Sequence, residues 1–212
     1  HPQPVSSKGV IRLVLDLCQH LVQAKPLTLV DISPAELPPV LADEQVLICY
    51  NYGCLVEAEA RFSETQLAEV AARLLRADSA VAERAIVAQV LGQLYRWAGE
   101  QLPISADRPG DYLDFGENGM MDCIDHATST TRLLLMLEER GLLRFHAVDP
   151  IRRRVRWLVA QHFSAVLRER GTDDAPGEGA RFAVDTWFGE HGDPAVVLPL
   201  EDWLDGEGPN VS

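Results

Sequence analysis

A cysteine at the predicted start of a long helix is the feature that most constrains this chain. Cys123 follows a stretch rich in glycine and proline, and apolar residues spaced three and four apart run from it to Gly141. This spacing predicts one amphipathic helix that starts at Asp122 and ends at a glycine C-cap. Free backbone N–H groups at a helix start favour a thiolate, which makes Cys123 a candidate nucleophile. The carboxylates of Asp122 and Asp125 oppose that charge.

The rest of the chain predicts a mixture of helices and short strands. A capping-box pattern opens a helix at Ser63, another helix begins near Ser79, and a third covers part of residues 7–22. Alternating or β-branched runs predict strands at residues 27–32, 46–50, 145–148, 155–168 and 181–188. We expect residues 1–102 to form a helical and strand region packed on a catalytic core of residues 103–212.

Composition excludes several classes of protein. The chain has 212 residues and a formal net charge of −13, which makes duplex nucleic acid an unsuitable partner because its phosphates are repelled. No apolar run approaches the roughly 20 residues that span a bilayer, so we expect no membrane span. We also expect no cofactor and no metal. The chain starts at His1 without the pattern of a signal peptide, so we expect either a processed or trimmed chain or an artificial start.

The four cysteines are too few for a disulfide scaffold. Cys49 and Cys54 are close enough in the chain to form a bridge if the backbone turns at Tyr52 and Gly53. The alternative is a pair of buried thiols. A bridge would favour a periplasmic or secreted protein over a cytoplasmic one.

Two downstream residues complete a possible catalytic set with Cys123. His162 and Asp185 lie in successive predicted strands, and a thiol nucleophile needs a base and a group that orients the base. If the strands pair as a hairpin, their alternation allows His162 and Asp185 to share one face of the sheet. We expect the helix that starts at Cys123 to pack across that face.

The order of these residues resembles the transglutaminase-like cysteine peptidase superfamily. The resemblance covers about residues 115–205: Cys123 at a helix start, the helix exit at 141–143, His162-Phe163 in a strand and Asp185-Thr186-Trp187 in the next. It implies an α+β fold with a papain/transglutaminase-like core, a central helix packed on an antiparallel sheet, and here an N-terminal helical extension. It also implies Cys123 as nucleophile, His162 as general base and acid, and Asp185 as the orienting group. The interval from His162 to Asp185 is longer than is usual in the family, and Phe163 stands where Trp is common.

Other residues are candidates for supporting roles. Acyl transfer needs donors to the oxyanion, and the N–H of Cys123, with Asn118 or Tyr112, is a candidate set. Trp187 is a candidate wall of the substrate cleft. His126 is either a supporting group or simply a polar residue of the first helical turn. The basic residues at 152–156 form either a solvated hairpin or a site for an acidic partner.

These features predict a cysteine hydrolase that cleaves a peptide or isopeptide amide of a protein or peptide substrate through a thioester. Two alternatives use the same residues: a transglutaminase or amide ligase, and an inactive binding or scaffold protein. A third alternative is a zinc site built from Cys123, His126, His146 and His162.

Overall fold

The computed structural model describes residues 43–110, 117–156, 160–171 and 179–209. The helix and strand predicted within residues 7–32 lie outside this part of the chain, as do Tyr112 and most of the loop at 171–179. The elements, in chain order, are β1 (Glu44–Tyr50), β2 (Val56–Phe62), α1 (Glu64–Leu74), α2 (Ala80–Gly99), a short 3-10 turn (Pro103–Ala106), α3 (Cys123–Glu139), β3 (His146–Arg156), β4 (Ala160–Glu169), β5 (Arg181–Asp185), β6 (Val196–Pro199) and α4 (Leu200–Leu204).

The described elements form an α+β fold with two antiparallel sheets, which confirms the predicted fold class at this level. One sheet pairs β1 with β2, and the other has the strand order β3-β4-β5-β6. Strand β2 was not predicted, because its sequence Val56–Phe62 alternates glutamates with small residues rather than with large apolar ones. Within the described residues, no helix is both long and apolar enough to cross a membrane.

Local sequence fixes the start of each long helix. The Ser63 side chain accepts the N–H of Gln66, whose own side chain accepts the N–H of Ser63, so the predicted capping box is formed. Asp122 and Asp125 make the same reciprocal arrangement at the start of α3. After α3 the chain turns at Gly141, whose φ of 69° is favourable for glycine.

The four-stranded sheet is covered on both faces. Ala165, Leu167 and Val184 join the main core that contains the buried leucines of α3, whereas Val166 and Ala183 pack with two side chains of α4. Alternation therefore assigns even-numbered residues of β4 and odd-numbered residues of β5 to the α4 face. The main core also contains residues of β1, β2, α1 and α2, so the described residues on either side of position 102 share one core.

A buried glutamate joins α2 to the start of β3. Glu83 is fully buried, accepts the backbone N–H groups of Arg144 and Phe145, and lies 2.8 Å from Nδ1 of His146. We predict that Glu83→Ala lowers the free energy of unfolding by about 3–5 kcal/mol, because it leaves a buried imidazole and two backbone N–H groups without their acceptor. Urea unfolding beside the exposed control Glu69→Ala measures this, and equal stability of the two variants would contradict it.

Candidate active site

The site is built on the ends of β4 and β5. His162 is the third residue of β4, Asp185 is the last residue of β5, and both are at most 5% exposed. Nε2 of His162 lies 2.6 Å from Oδ2 of Asp185. Ala165 pairs with Val184, so Asp185 is opposite Ser164, and alternation places it on the same face as His162.

Asp185 is held by three donors. Besides His162, its oxygens accept the indole N–H of Trp203 at 3.0 Å and the backbone N–H of Trp187 at 3.1 Å. A carboxylate accepts hydrogen bonds, so the imidazole carries its proton on Nε2. Nδ1 of His162 is buried without a hydrogen-bond partner among the described residues. In that tautomer of the imidazole, Nδ1 presents a lone pair.

Cys123 lies beside the two residues that flank His162. Its sulfur is 4.0 Å from the carbonyl oxygen of Gln161 and is close to the backbone N–H of Phe163. Strand β5 pairs with β4 from Ala165 onward, so the thiol lies along the edge of β4 beyond the end of that pairing. The structure thus brings His162 and Asp185 into direct contact and places Cys123 against the main chain around His162.

The position of α3 differs from the expectation. Its leucines pack on the face of Ala165 and Leu167, whereas His162 and Asp185 belong by alternation to the α4 face. The helix therefore does not cross the face that carries His162 and Asp185. Its first residue instead reaches the strand edge between the two faces, because α3 starts where the pairing of β4 with β5 has ended.

The thiol of Cys123 rests protonated. Burial is the main cause that raises its pKa far above the ordinary value, and the charges of Asp122 and Asp185 raise it further. The N–H groups of Phe163 and of Cys123 itself lower the pKa, but they do not outweigh burial. The field of the helix start is thus not sufficient to produce a thiolate, so a base must remove the proton when the sulfur reacts.

Aromatic rings enclose the imidazole. The ring centres of Trp187, Phe188 and Trp203 lie 4.7, 5.4 and 5.6 Å from that of His162. Trp187 and Phe188 also pack with Cys123, so the predicted wall residue borders the thiol. Arg154 lies over the ring of Trp203 and donates to the carbonyl oxygen of Trp203 at 2.6 Å. One member of the basic cluster thus holds the helix that supplies a donor to Asp185.

A second histidine ties α3 to the residue after Asp185. Nε2 of His126 lies 2.7 Å from Asp107, and Nδ1 lies 2.9 Å from the hydroxyl of Thr186, which also bonds Thr130. Burial acts to lower the pKa of His126, but the hydrogen bond and charge of Asp107, aided by other carboxylates, outweigh it and raise the pKa. His126 is therefore a buried residue that links α3 to Asp107 and to Thr186, the residue after Asp185.

A turn closed by a disulfide holds the start of α3. Cys49 and Cys54 are bonded, and residues 51–54 all have φ between 56° and 67°. Three of these residues are not glycine, and the left-handed conformation costs an L-residue about 1–2 kcal/mol. The backbone N–H groups of Tyr52 and Cys54 donate to Asp125, and that of Gly53 donates to Asp122. These bonds offset the cost and join the turn to the helix that begins at Cys123.

The two carboxylates predict a pH-dependent stability. Burial first, and then the charge of Asp122, raises the pKa of Asp125 to about 8. Between about pH 4, its ordinary pKa, and about pH 8, the folded protein holds a proton that the unfolded chain has released. Because the folded state binds more protons in this window, the free energy of unfolding falls as the pH rises through it.

We predict that Asp122→Asn makes this fall shallower, because it removes the second cause of the raised pKa while Asn still caps the helix. Unfolding in urea at several pH values between 5 and 8 measures it. The exposed control Asp202→Asn keeps the wild-type pH dependence. An unchanged dependence in Asp122→Asn would contradict the coupling.

Two sequence-based candidates are not brought to the thiol by any described contact. Asn118 is exposed, and its Oδ1 accepts from the side chain of Asn51, while Tyr112 lies outside the described residues. The structure does not bring the residues of the zinc alternative together: no three of Cys123, His126, His146 and His162 form a group of possible ligands among the residues described. Three possible ligand atoms come within 4.8 Å of one another, among the residues described, at Cys49, Cys54 and Asp125, where the sulfurs are bonded to each other.

Sequence reasoning missed the residues that surround the site from elsewhere in the chain. They are Trp203, Phe188, Asp107 and the hydrogen bonds from the turn at 51–54 to the start of α3. Phe188 and Asp107 lie near predicted elements, but no local pattern indicates their partners. The signal for the turn was the spacing of Cys49 and Cys54 around Gly53, which left the bridge as one of two alternatives.

Comparison with protein-family models, with curated proteins and with solved structures finds no match. The resemblance to the transglutaminase-like superfamily therefore stays a prediction from Cys123, His162 and Asp185 and their contexts.

Proposed function

We propose that this protein is a cysteine hydrolase that cleaves a peptide or isopeptide amide through a thioester, on a papain/transglutaminase-like core. The observation that carries the proposal is the hydrogen bonding of His162 and the position of the Cys123 thiol beside it. Asp185 binds its Nε2, its Nδ1 is buried and faces no hydrogen-bond partner in the described chain, and the Cys123 thiol lies against the backbone on both sides of it. These contacts support Nδ1 of His162 as the base that takes the proton of the Cys123 thiol.

The proposed reaction starts from the neutral thiol. Nδ1 of His162 takes the proton of Cys123 as the sulfur attacks the carbonyl carbon of the substrate, and Asp185 stabilises the imidazolium that forms. When the tetrahedral intermediate collapses, the carbon–nitrogen bond breaks and the leaving amine receives the proton from Nδ1. The product is a thioester on Cys123.

Water completes the cycle. His162 removes a proton from the water that attacks the thioester, and returns a proton to the sulfur as the acid product leaves. If an amine attacks in place of water, the product is a new amide, and the same residues catalyse transamidation. The aromatic rings of Trp187 and Phe188 exclude bulk water from the imidazole, which strengthens its interaction with Asp185.

The disulfide supports a location outside the cytoplasm. Bridges such as Cys49–Cys54 persist in oxidising compartments and are rare where thiols are kept reduced. We therefore place the proposed hydrolase in a periplasmic or secreted setting.

Incubation with a peptide library and a labelled primary amine tests the reaction. Hydrolysis gives cleaved peptides without label, whereas transamidation gives labelled peptides. Both products are expected to disappear in Cys123→Ala. Peptide cleavage that persists in Cys123→Ala would overturn the proposal.

The burial of Cys123 favours a second candidate, a binding protein that keeps this arrangement without the chemistry. The side chain is 8% exposed and its pKa is raised, both of which reduce its reactivity. This candidate predicts that Cys123 takes no acyl group from any donor and that Cys123→Ala retains its binding partner.

A further inference from the structure

The disulfide-closed turn at residues 51–54 contacts the segment that carries Cys123 through its whole length. The N–H of Asn51 donates to the carbonyl of Met120 at 2.7 Å, and the next three N–H groups reach Asp122 and Asp125 at 2.6–2.9 Å. The side chain of Asn51 also accepts the N–H of Gly119 at 2.7 Å. Every residue of the turn is thus bonded to the stretch 119–125.

Successive backbone N–H groups in left-handed conformation form a concave site for acceptor groups such as anions, and here carboxyl oxygens of Asp122 and Asp125 occupy it. Each carboxylate also binds the start of α3: Asp122 accepts the N–H groups of Ile124 and Asp125, and Asp125 accepts that of Asp122. Asp122 and Asp125 therefore connect the turn to the residues on both sides of Cys123.

This connection bears on the thiol in two ways. It fixes the backbone that carries Cys123. It also surrounds the side chains of Asp122 and Asp125 with N–H donors, and the charge of Asp122 raises the pKa of the Cys123 thiol. The turn keeps an unfavourable backbone conformation at Asn51, Tyr52 and Cys54, and the bond between Cys49 and Cys54 joins its two ends. Without that bond, the turn is free to relax away from the carboxylates.

We propose that the Cys49–Cys54 disulfide positions the Cys123 thiol through Asp122 and Asp125, so that reduction of the disulfide lowers the reactivity of Cys123. The inference rests on the proposed function, because it assigns a redox dependence to the same nucleophile. Asp122 and Asp125 are positioning residues in this scheme and do not touch the substrate.

The reduction itself requires a dithiol or phosphine reductant. A dithiol supplies two electrons and two protons: the S–S bond breaks, Cys49 and Cys54 become thiols, and the dithiol becomes a disulfide. A phosphine supplies the two electrons and becomes a phosphine oxide, while water supplies the oxygen and the two protons. Cys54 is partly exposed, which gives the reductant access. The guanidinium of Arg132 lies 3.5 Å from the Cys49 sulfur, so a thiolate released there has a cation beside it.

Timed alkylation of Cys123 tests the proposal. Oxidised protein and protein reduced with a phosphine and then desalted are treated with iodoacetamide, and peptide mass spectrometry measures modification at Cys123 separately from Cys49 and Cys54. Reduction is expected to slow alkylation of Cys123 about tenfold or more, and reoxidation is expected to restore the rate. Equal rates in oxidised and reduced protein would overturn the proposal.

The double variant Cys49→Ala/Cys54→Ala is the matched control, because it removes the bridge permanently. Its Cys123 is expected to react slowly and to be unaffected by the reductant. If this variant does not fold, the proposal is tested by the comparison of oxidised with reduced wild-type protein. Circular dichroism verifies that both forms are folded. If the alkylation of Cys123 depends on the disulfide but Cys123 accepts no acyl group, the proposed hydrolase function is wrong and the positioning role of the disulfide stands. If Cys123 is acylated at the same rate with and without the disulfide, the positioning role is wrong and the hydrolase function stands.

Discussion

Replacing His162 with alanine is expected to slow the alkylation of Cys123 at neutral pH by about 10²-fold or more. Burial and two nearby carboxylates keep the thiol protonated, so its reaction depends on a base, and Nδ1 of His162 is the buried acceptor that has no other hydrogen-bond partner among the described residues. Second-order rate constants for iodoacetamide, measured by peptide mass spectrometry on non-reduced protein, give the result.

Two further variants make this result specific. His191→Ala removes a histidine that is not part of the candidate site, and its Cys123 is expected to react at nearly the wild-type rate. His162→Gln keeps a polar side chain for Asp185 but supplies no base, and is expected to be as slow as His162→Ala. Fast alkylation in both His162 variants would contradict the assigned role.

The Asp185→Asn variant is expected to lose both stability and reactivity. The carboxylate oxygens accept from His162, Trp203 and the backbone of Trp187, and an amide has one acceptor oxygen in place of two. Leaving one buried donor unpaired is expected to lower the free energy of unfolding by about 1–3 kcal/mol. Urea unfolding measures this loss, with the exposed Asp202→Asn as the matched control.

The loss of reactivity in Asp185→Asn has a separate cause. An amide N–H facing the ring favours the tautomer with its proton on Nδ1, and that tautomer cannot take a proton from Cys123. We expect alkylation of Cys123 to slow by about 10²- to 10⁴-fold. A variant that is destabilised but alkylated at the wild-type rate would show that Asp185 is structural and does not orient His162.

Local signals accounted for much of the fold. The caps at Ser63, Ser79 and Asp122 mark the helix starts, because a side chain that accepts a backbone N–H within three residues is encoded entirely in the local sequence. Strand β2 was missed because it is stabilised by pairing with β1 and by burial of Ala60 and Phe62, which a short polar alternation does not reveal.

In the candidate site, too, some contacts follow from local sequence patterns and others do not. The contact between His162 and Asp185 follows from strand pairing and alternation, which the sequence indicates. The sequence does not indicate the face of the sheet on which α3 packs. That face depends on which one the apolar residues of α4 cover. Trp203 reaches Asp185 from the last helix, 18 residues further along the chain. No local pattern predicts such a contact.

The central claim is that Cys123 accepts an acyl group with the help of His162. Brief incubation with an activated ester such as p-nitrophenyl acetate, followed by acid quenching and peptide mass spectrometry, tests this claim most directly. The account predicts one acetyl group on Cys123 in the wild-type protein, and none above the uncatalysed background in His162→Ala. Equal acetylation of Cys123 in the two proteins, or its absence from both, would contradict the account.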